Sequence, residues 1–250
     1  MFRHSSLFQF KNGDHTCVFY RTQQALMEVL TPYIADGLRR GERCLCAQKP
    51  QILKRLVYDL WFLGIDPDQE IRRGALELQT VNETYLPNDR FEPRALMDML
   101  IRSIEEARRN GFRSFRTAGE LSWAVEGRNV CDHVVGYEKL VDEYYPGQPA
   151  IGLCQYSMSK FEPHVLQAVL QAHRMQVVET ATHSDHASMH IRDNAWSAEI
   201  VADKMALSPR YYYVVHHREP SEPLGWGIAP DFDSASANID RLTCSSQVPS

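Results

Sequence analysis

Apolar positions recur along this chain in two alternating rhythms, short β-rich runs and longer stretches striped at helical spacing. Thr16 to Tyr20 predicts a strand. Leu26, Val29, Leu30, Tyr33, Ile34 and Leu38 then mark one face of a helix from about Gln23 to Arg40, with Gly41 as its terminator. Strands over 43–48 and 75–81 flank a helix over 51–63 that stops at Gly64. Pro93 opens a further helix with Leu96, Leu100, Ile101, Ile104 and Ala107 inward, ended by Asn110-Gly111. A strand over 112–118 and a loop over 119–127 lead to a helix over 130–145 with Val134, Tyr137, Leu140 and Val141 inward. Ala150 to Tyr156 is a continuous apolar run, the pattern of a strand buried on both faces, and a helix over 163–173 follows it.

Strand and helix alternate throughout this stretch, which predicts a three-layer α/β domain with a mostly parallel sheet. Segments 175–179 and 188–191 read as a hairpin at the sheet edge. Beyond them the pattern weakens: a short helix over 195–205, an aromatic run at Tyr211-Tyr212-Tyr213, and a tail rich in Pro, Ser and Asp whose last dozen or more residues are expected to be disordered. The expected division is a domain over 1–191 and a C-terminal appendage over 192–250.

With 250 residues, 44% hydrophobic and 24% charged, the chain can bury a large core. A net charge of −5 and a pI near 6.1 argue against a general binder of nucleic acid or anionic membranes. No stretch approaches the roughly 20 apolar residues that span a bilayer, and the polar start lacks a signal peptide's apolar region, so a cytoplasmic address is expected. The six cysteines include no CxxC pair and lie mostly in apolar strand-like runs, as reduced thiols do. No Gly-x-x-x-x-Gly-Lys-Ser/Thr loop follows the first strand, and GxGxxG is absent too, so ordinary nucleotide hydrolysis and dinucleotide binding lack support.

Chemically capable residues gather at strand ends, which converge on one crevice in a parallel sheet. His15 and Cys17 share a face of the first strand, with Tyr20 at its exit; the pair suits a metal, a ligand contact or an oxidation sensor, or else ordinary core packing. Arg116, Glu120 and Trp123 read either as part of a ligand pocket or as an Arg116–Glu120 ion pair beside a core tryptophan. Cys154 and Tyr156 share a face of the fifth strand. His173 closes an apolar helix stripe and reads as structural. The histidines of 182–190 and His216-His217 fit no catalytic metal signature and read as loop residues.

The ordered set His15-x-Cys17-x-Phe19-Tyr20, Gly41-Glu42-Arg43-Cys44, Gly119-Glu120-x-x-Trp123, Tyr137-Glu138 and Leu153-Cys154-Gln155-Tyr156 with Phe161 and His173 resembles the MEDS domain, named for the methanogen/methylotroph DcmR sensory domain. The resemblance runs from about Asp14 to Val178. It implies a RecA/KaiC-like fold without a working phosphate loop and a sensory role in prokaryotic signalling, with small molecules such as hydrocarbon derivatives as the proposed stimulus. It also implies a DNA-binding or histidine-kinase output as partner, and carries ligand contacts onto His15, Cys17 and Cys154 with Glu120 and Trp123 beside them. Ser157-Met158 stands where the family usually has Asp-Arg, and Arg174 where it has proline.

The expectation is therefore a non-catalytic cytoplasmic sensor that binds a small molecule at His15, Cys17, Tyr20, Arg116, Glu120, Trp123, Cys154 and Tyr156, with the cofactor, a metal or haem, left open. The rival readings are an enzyme with Glu120 as general base and Cys17 or Cys154 as nucleophile, and a degenerate RecA-like scaffold that retains nucleotide binding or only assembles with partners.

Overall fold

The computed structural model describes residues 10–126, 130–161, 163–173, 175–179, 186–192, 196–203, 210–217, 223–229 and 232–245. The chain packs as two compact units, the first running to His173 and the second from Arg174.

In the first unit, β1 (His15–Tyr20), β2 (Arg43–Gln48), β3 (Leu76–Thr80), β4 (Phe115–Glu120) and β5 (Ala150–Ser157) form a parallel sheet in the order β1-β5-β4-β2-β3. The connecting helices are α1 (Gln23–Arg40), α2 (Pro50–Phe62), α3 (Pro67–Arg72), α4 (Val81–Tyr85), α5 (Pro93–Arg109) and α6 (Val130–Tyr144), and α7 (Pro163–Ala172) follows β5. Steps from β1 to β2 to β3 and steps back through β4 to β5 run in opposite directions across the sheet. Right-handed crossovers therefore put α1 and α2 on one face and α5 and α6 on the other. This is the three-layer parallel architecture that the alternating pattern predicts.

Local signals set the ends of these helices. Thr22 caps α1, its side chain accepting from the Ala25 N–H, and Gly41 at φ 75° closes it with N–H bonds to Gly37 and Leu38. Thr80 and Glu83 form a reciprocal capping box at α4.

Arg116 is fully buried on the α1 face, not at the strand ends. Its Nε donates to Glu42 at 2.5 Å, its Nη1 to the Tyr33 carbonyl at 2.9 Å and its Nη2 to Asp36 at 3.3 Å. Gly37 makes this possible, since a Cβ there would stand 2.7 Å from Arg116 and from the Cys44 sulfur. The expected ligand role of Arg116, and its alternative pairing with Glu120, both give way to an ion pair that ties α1 to the sheet.

In the second unit β6 (Met175–Glu179), β7 (His186–Arg192), β8 (Trp196–Asp203), β9 (Arg210–His217) and β10 (Pro223–Ala229) pair antiparallel in sequence order, followed by α8 (Phe232–Ser245). Two expectations fail here. Residues 196–203 are a strand, because pairing to β7 and β9 on both sides overrides a weak local pattern. Much of the supposed disordered tail is α8. The 182–185 histidine segment lies outside the described residues, while His186 and His190 fall on β7. Packing divides the units at 173, against the 191 read from sequence, because β6 and β7 pair onward with β8.

Candidate functional site

Cross-strand register decides which predicted site residues can meet, because directly paired residues share a face. Cys17, Cys154 and Gly119 form one row across β1, β5 and β4, facing α5 and α6. Val18, Gln155 and Glu120 form the next row and face α1. The eight expected residues are thus split between two faces, and the single shared crevice is not what the sheet builds.

On the α1 side, the carboxyl ends of the strands are closed by polar side chains bonded to each other. The Tyr20 hydroxyl donates to Glu120 at 3.3 Å, the Ser122 N–H donates to the same carboxylate oxygen at 2.9 Å, and Gln48 Nε2 donates to Gln155 Oε1 at 2.7 Å. Burial, and the Glu120 charge after it, push the Tyr20 phenol well above its ordinary pKa. A buried carboxylate thus stands at the carboxyl end of β4. Glu120 also lies across the sheet from both cysteines, which removes the geometry the enzyme reading required.

On the opposite face a denser cluster forms. His15 Nε2 lies 3.1 Å from Glu138 Oε2 and 3.3 Å from Cys154 Sγ, and the Cys154 thiol donates to Glu138 Oε2 at 3.2 Å. His173 Nε2 lies 3.4 Å from the same Glu138 oxygen, and its ring stacks on His15 with centroids 4.2 Å apart. The Tyr156 hydroxyl donates to the other Glu138 oxygen. Asp142, one turn along α6, faces His15 Nδ1 at 3.4 Å. Cys17, the register partner of Cys154, is wholly buried beside them. Gly152 clears the space: a Cβ there would come within 2.9 Å of Tyr145 and 3.1 Å of the His15 ring.

The electrostatics follow from this packing. Burial opposes charge on His15, but hydrogen bonds to Asp142 and Glu138 outweigh it and its pKa rises. For His173 burial and the charge of His15 pull down while Cys17 and then Glu138 pull up, and the pKa is pushed up to about 9. Glu138 also feels burial, yet the two imidazoles hold its carboxyl well below the usual range. Burial and the Glu138 carboxylate raise the Cys154 thiol well above its ordinary value, which keeps it protonated and a poor nucleophile.

Beside the cluster lies a small cavity of about 20 Å³ between the sheet and α5 and α6. His15, Cys154 and Thr117 reach it from the sheet, Tyr85 and Tyr137 from the helices, and Leu and Met side chains complete its wall. Among His15, Glu138, Cys154 and His173, Cys154 alone is partly accessible. Trp123, in the 3-10 turn over 122–126, packs on the rings of Tyr85 and Phe91 at 5.6 and 5.0 Å and so backs the cavity.

Glu138, His173 and Asp142 were missed as site residues. The helix over 130–145 was phased with Leu140 inward, whereas Leu140 is 41% exposed and the buried stripe is Val134, Tyr137, Glu138, Val141 and Tyr145. An acid three and four residues from apolar neighbours on both sides was the available signal.

A family model described as the MEthanogen/methylotroph, DcmR Sensory domain matches residues 14–174, well over half of the chain. The chain belongs to the MEDS family. The match spans all five parallel strands and every residue of the His15 cluster. MEDS membership makes residues 14–174 a domain of a sensory family. The chain is 25% identical over 170 residues to the Transcriptional repressor DcmR of Methylorubrum extorquens, an alignment covering 64% of this chain and 58% of that protein. The chain thus spans less than two thirds of the relative's length. Among solved structures, it is similar to the KaiC-like protein PH0186 of Pyrococcus horikoshii, with a TM-score of 0.47. It is similar also to the flagellar accessory protein FlaH of Methanocaldococcus jannaschii, with a TM-score of 0.46. Each is 10% identical, with 88% of this MEDS chain and 91% of the other chain covered. Among the described residues no helix is long and apolar enough to cross a membrane.

Proposed function

We propose that this MEDS chain is a non-catalytic cytoplasmic sensor in which a very small organic molecule occupies the cavity on the α5/α6 face and the signal passes to a partner protein, a kinase or a transcription regulator. The cavity beside Cys154 and His15 carries the reading. It combines an apolar wall with a thiol, an imidazole and phenols, the mixture that orients a small ligand in an otherwise greasy site.

Its size sets the ligand class. A water needs about 10–15 Å³ of such space, so 20 Å³ accepts a group of about one or two heavy atoms without rearrangement. Pockets for drug-sized ligands run to roughly 300 Å³ or more. One- and two-carbon compounds fit this scale, in line with the family's proposed stimuli. A ligand shifts an equilibrium only by binding two states unequally, and one slightly larger than the cavity does so by favouring a displaced α5 or α6.

The test is a panel of one- to three-carbon alcohols, aldehydes and halocarbons, read by ligand-observed NMR and thermal shift on the full chain. At least one class should bind the native chain, and Leu100→Phe, which fills the cavity, should abolish that binding while leaving the fold intact. Indifference to the whole panel, or binding that Leu100→Phe leaves unchanged, overturns the proposal.

A further inference from the structure

The cluster of His15, Glu138, Cys154 and His173 offers four electron-pair donors from four separate segments: β1, α6, β5 and the residue after α7. All four donor atoms lie within 4.8 Å of one another. We propose that they form a binding site for one borderline transition-metal dication of the zinc or cobalt type.

Distance is the first argument. A tetrahedral centre with metal–nitrogen and metal–oxygen bonds of about 2.0–2.1 Å and a metal–sulfur bond of about 2.3 Å has ligand-to-ligand edges of about 3.3–3.6 Å. Four of the donor pairs stand at 3.1, 3.2, 3.3 and 3.4 Å. The remaining two pairs lie within 4.8 Å.

The second argument lies in the outer partners. Metal-bound imidazoles nearly always present their other nitrogen to a carboxylate or backbone carbonyl, which fixes the tautomer. His173 Nδ1 lies 2.9 Å from the Val169 carbonyl, and His15 Nδ1 faces Asp142 at 3.4 Å. Both rings accordingly turn Nε2 toward the centre. Tyr156 binds Glu138 Oε1 and leaves Oε2 for the centre. Three of the four donors therefore carry the supporting contacts of a ligand, and the buried His173 Nε2 points at Glu138 Oε2, 3.4 Å away.

Charge is the third. Two neutral imidazoles, one thiolate and one carboxylate carry two negative charges, which a dication cancels in a site where uncompensated charge is costly. On loading, the Cys154 S–H bond and any Nε2–H bond of His15 and His173 break, the sulfur–metal and nitrogen–metal bonds form and the protons leave to solvent; no electron is transferred. With four protein donors the shell is closed, so the ion holds β1, β5, α6 and the end of α7 together and has no position for a reactive water.

This inference stands independently of the ligand reading, since metal loading and organic binding are measured separately. Full-length chain is stripped with chelator and titrated with Co²⁺. The expected result is one equivalent bound with a thiolate-to-cobalt charge-transfer band and the intense visible bands of four-coordinate cobalt. Zn²⁺ should displace it, and the thermal midpoint should rise. Cys154→Ser should lose the charge-transfer band and Cys17→Ser should keep it. Glu138→Gln, which preserves shape, should weaken cobalt binding by at least about tenfold. No charge-transfer band in the native chain, or a band that survives Cys154→Ser and vanishes with Cys17→Ser, overturns the assignment.

Discussion

Gly119→Ala places a methyl group at the tightest approach among the described glycines. Its Cβ would lie 1.7 Å from the Tyr85 hydroxyl oxygen and 3.0 Å from the ring carbon Cζ. Ordinary contact at 3.4 Å returns only if the hydroxyl retreats by about 1.7 Å, in a core packed like a crystal. Tyr85 is buried and backed by Trp123 with ring centroids 5.6 Å apart, so the strain cannot simply drain to solvent. Overpacking of this kind costs about 1–3 kcal/mol. Tyr85→Phe removes the clashing atom, and its own cost enters the cycle as a measured single-variant loss. In the double variant the new methyl meets Cζ at 3.0 Å and Cε2 at 3.6 Å, which needs a shift of tenths of an ångström. The two losses should therefore fall short of adding by at least about 1 kcal/mol. Urea unfolding followed by far-ultraviolet circular dichroism, with matched slopes, measures the cycle. Losses that add within about 0.5 kcal/mol would show that the hydroxyl does not set the spacing of this wall.

Two further outcomes follow from features away from the cavity. Arg116→Met strips the buried Glu42 carboxylate of its partner and should cost about 3–5 kcal/mol in urea unfolding, with part of the loss recovered by adding Glu42→Met; a cost below about 1 kcal/mol would refute the ion pair's role in seating α1. The Glu83 carboxylate accepts from the Thr80 backbone N–H at 2.6 Å and its hydroxyl at 2.7 Å, which lowers its pKa below 4.5. Its stabilisation is therefore present above pH 4.5 and lost as pH falls through the lower folded value, so the urea midpoints of native chain and Glu83→Gln should converge on acidification; a gap that widens would contradict the capping box.

The parallel half of the fold was readable because its signals are local and redundant. Continuous apolar runs, helical stripes and terminating glycines each point to the same element, and β5 shows the pattern in full. Strand β4 was read as 112–118 but starts at Phe115, because the Phe112 N–H completes the end of α5 on the Ala107 carbonyl. Arg116 and Glu120 looked like partners from their spacing, yet four residues along a strand cover about 13 Å, so each answers to a different neighbourhood. His15 and Cys154 were legible as chemistry on one face. Glu138 was not, since an acid in a helix defaults to the wet side and only the burial of Tyr137 and Val141 reveals otherwise. The antiparallel half failed for a different reason: β8 takes its form from partners on either side, and such non-local pairing leaves little trace in a short sequence window.

Consecutive residues of β5 serve opposite layers: Cys154 looks toward α6 and Gln155 toward α1. A slip of this strand along its axis would disturb the thiol and the amide together, because both ride on one stretch of main chain.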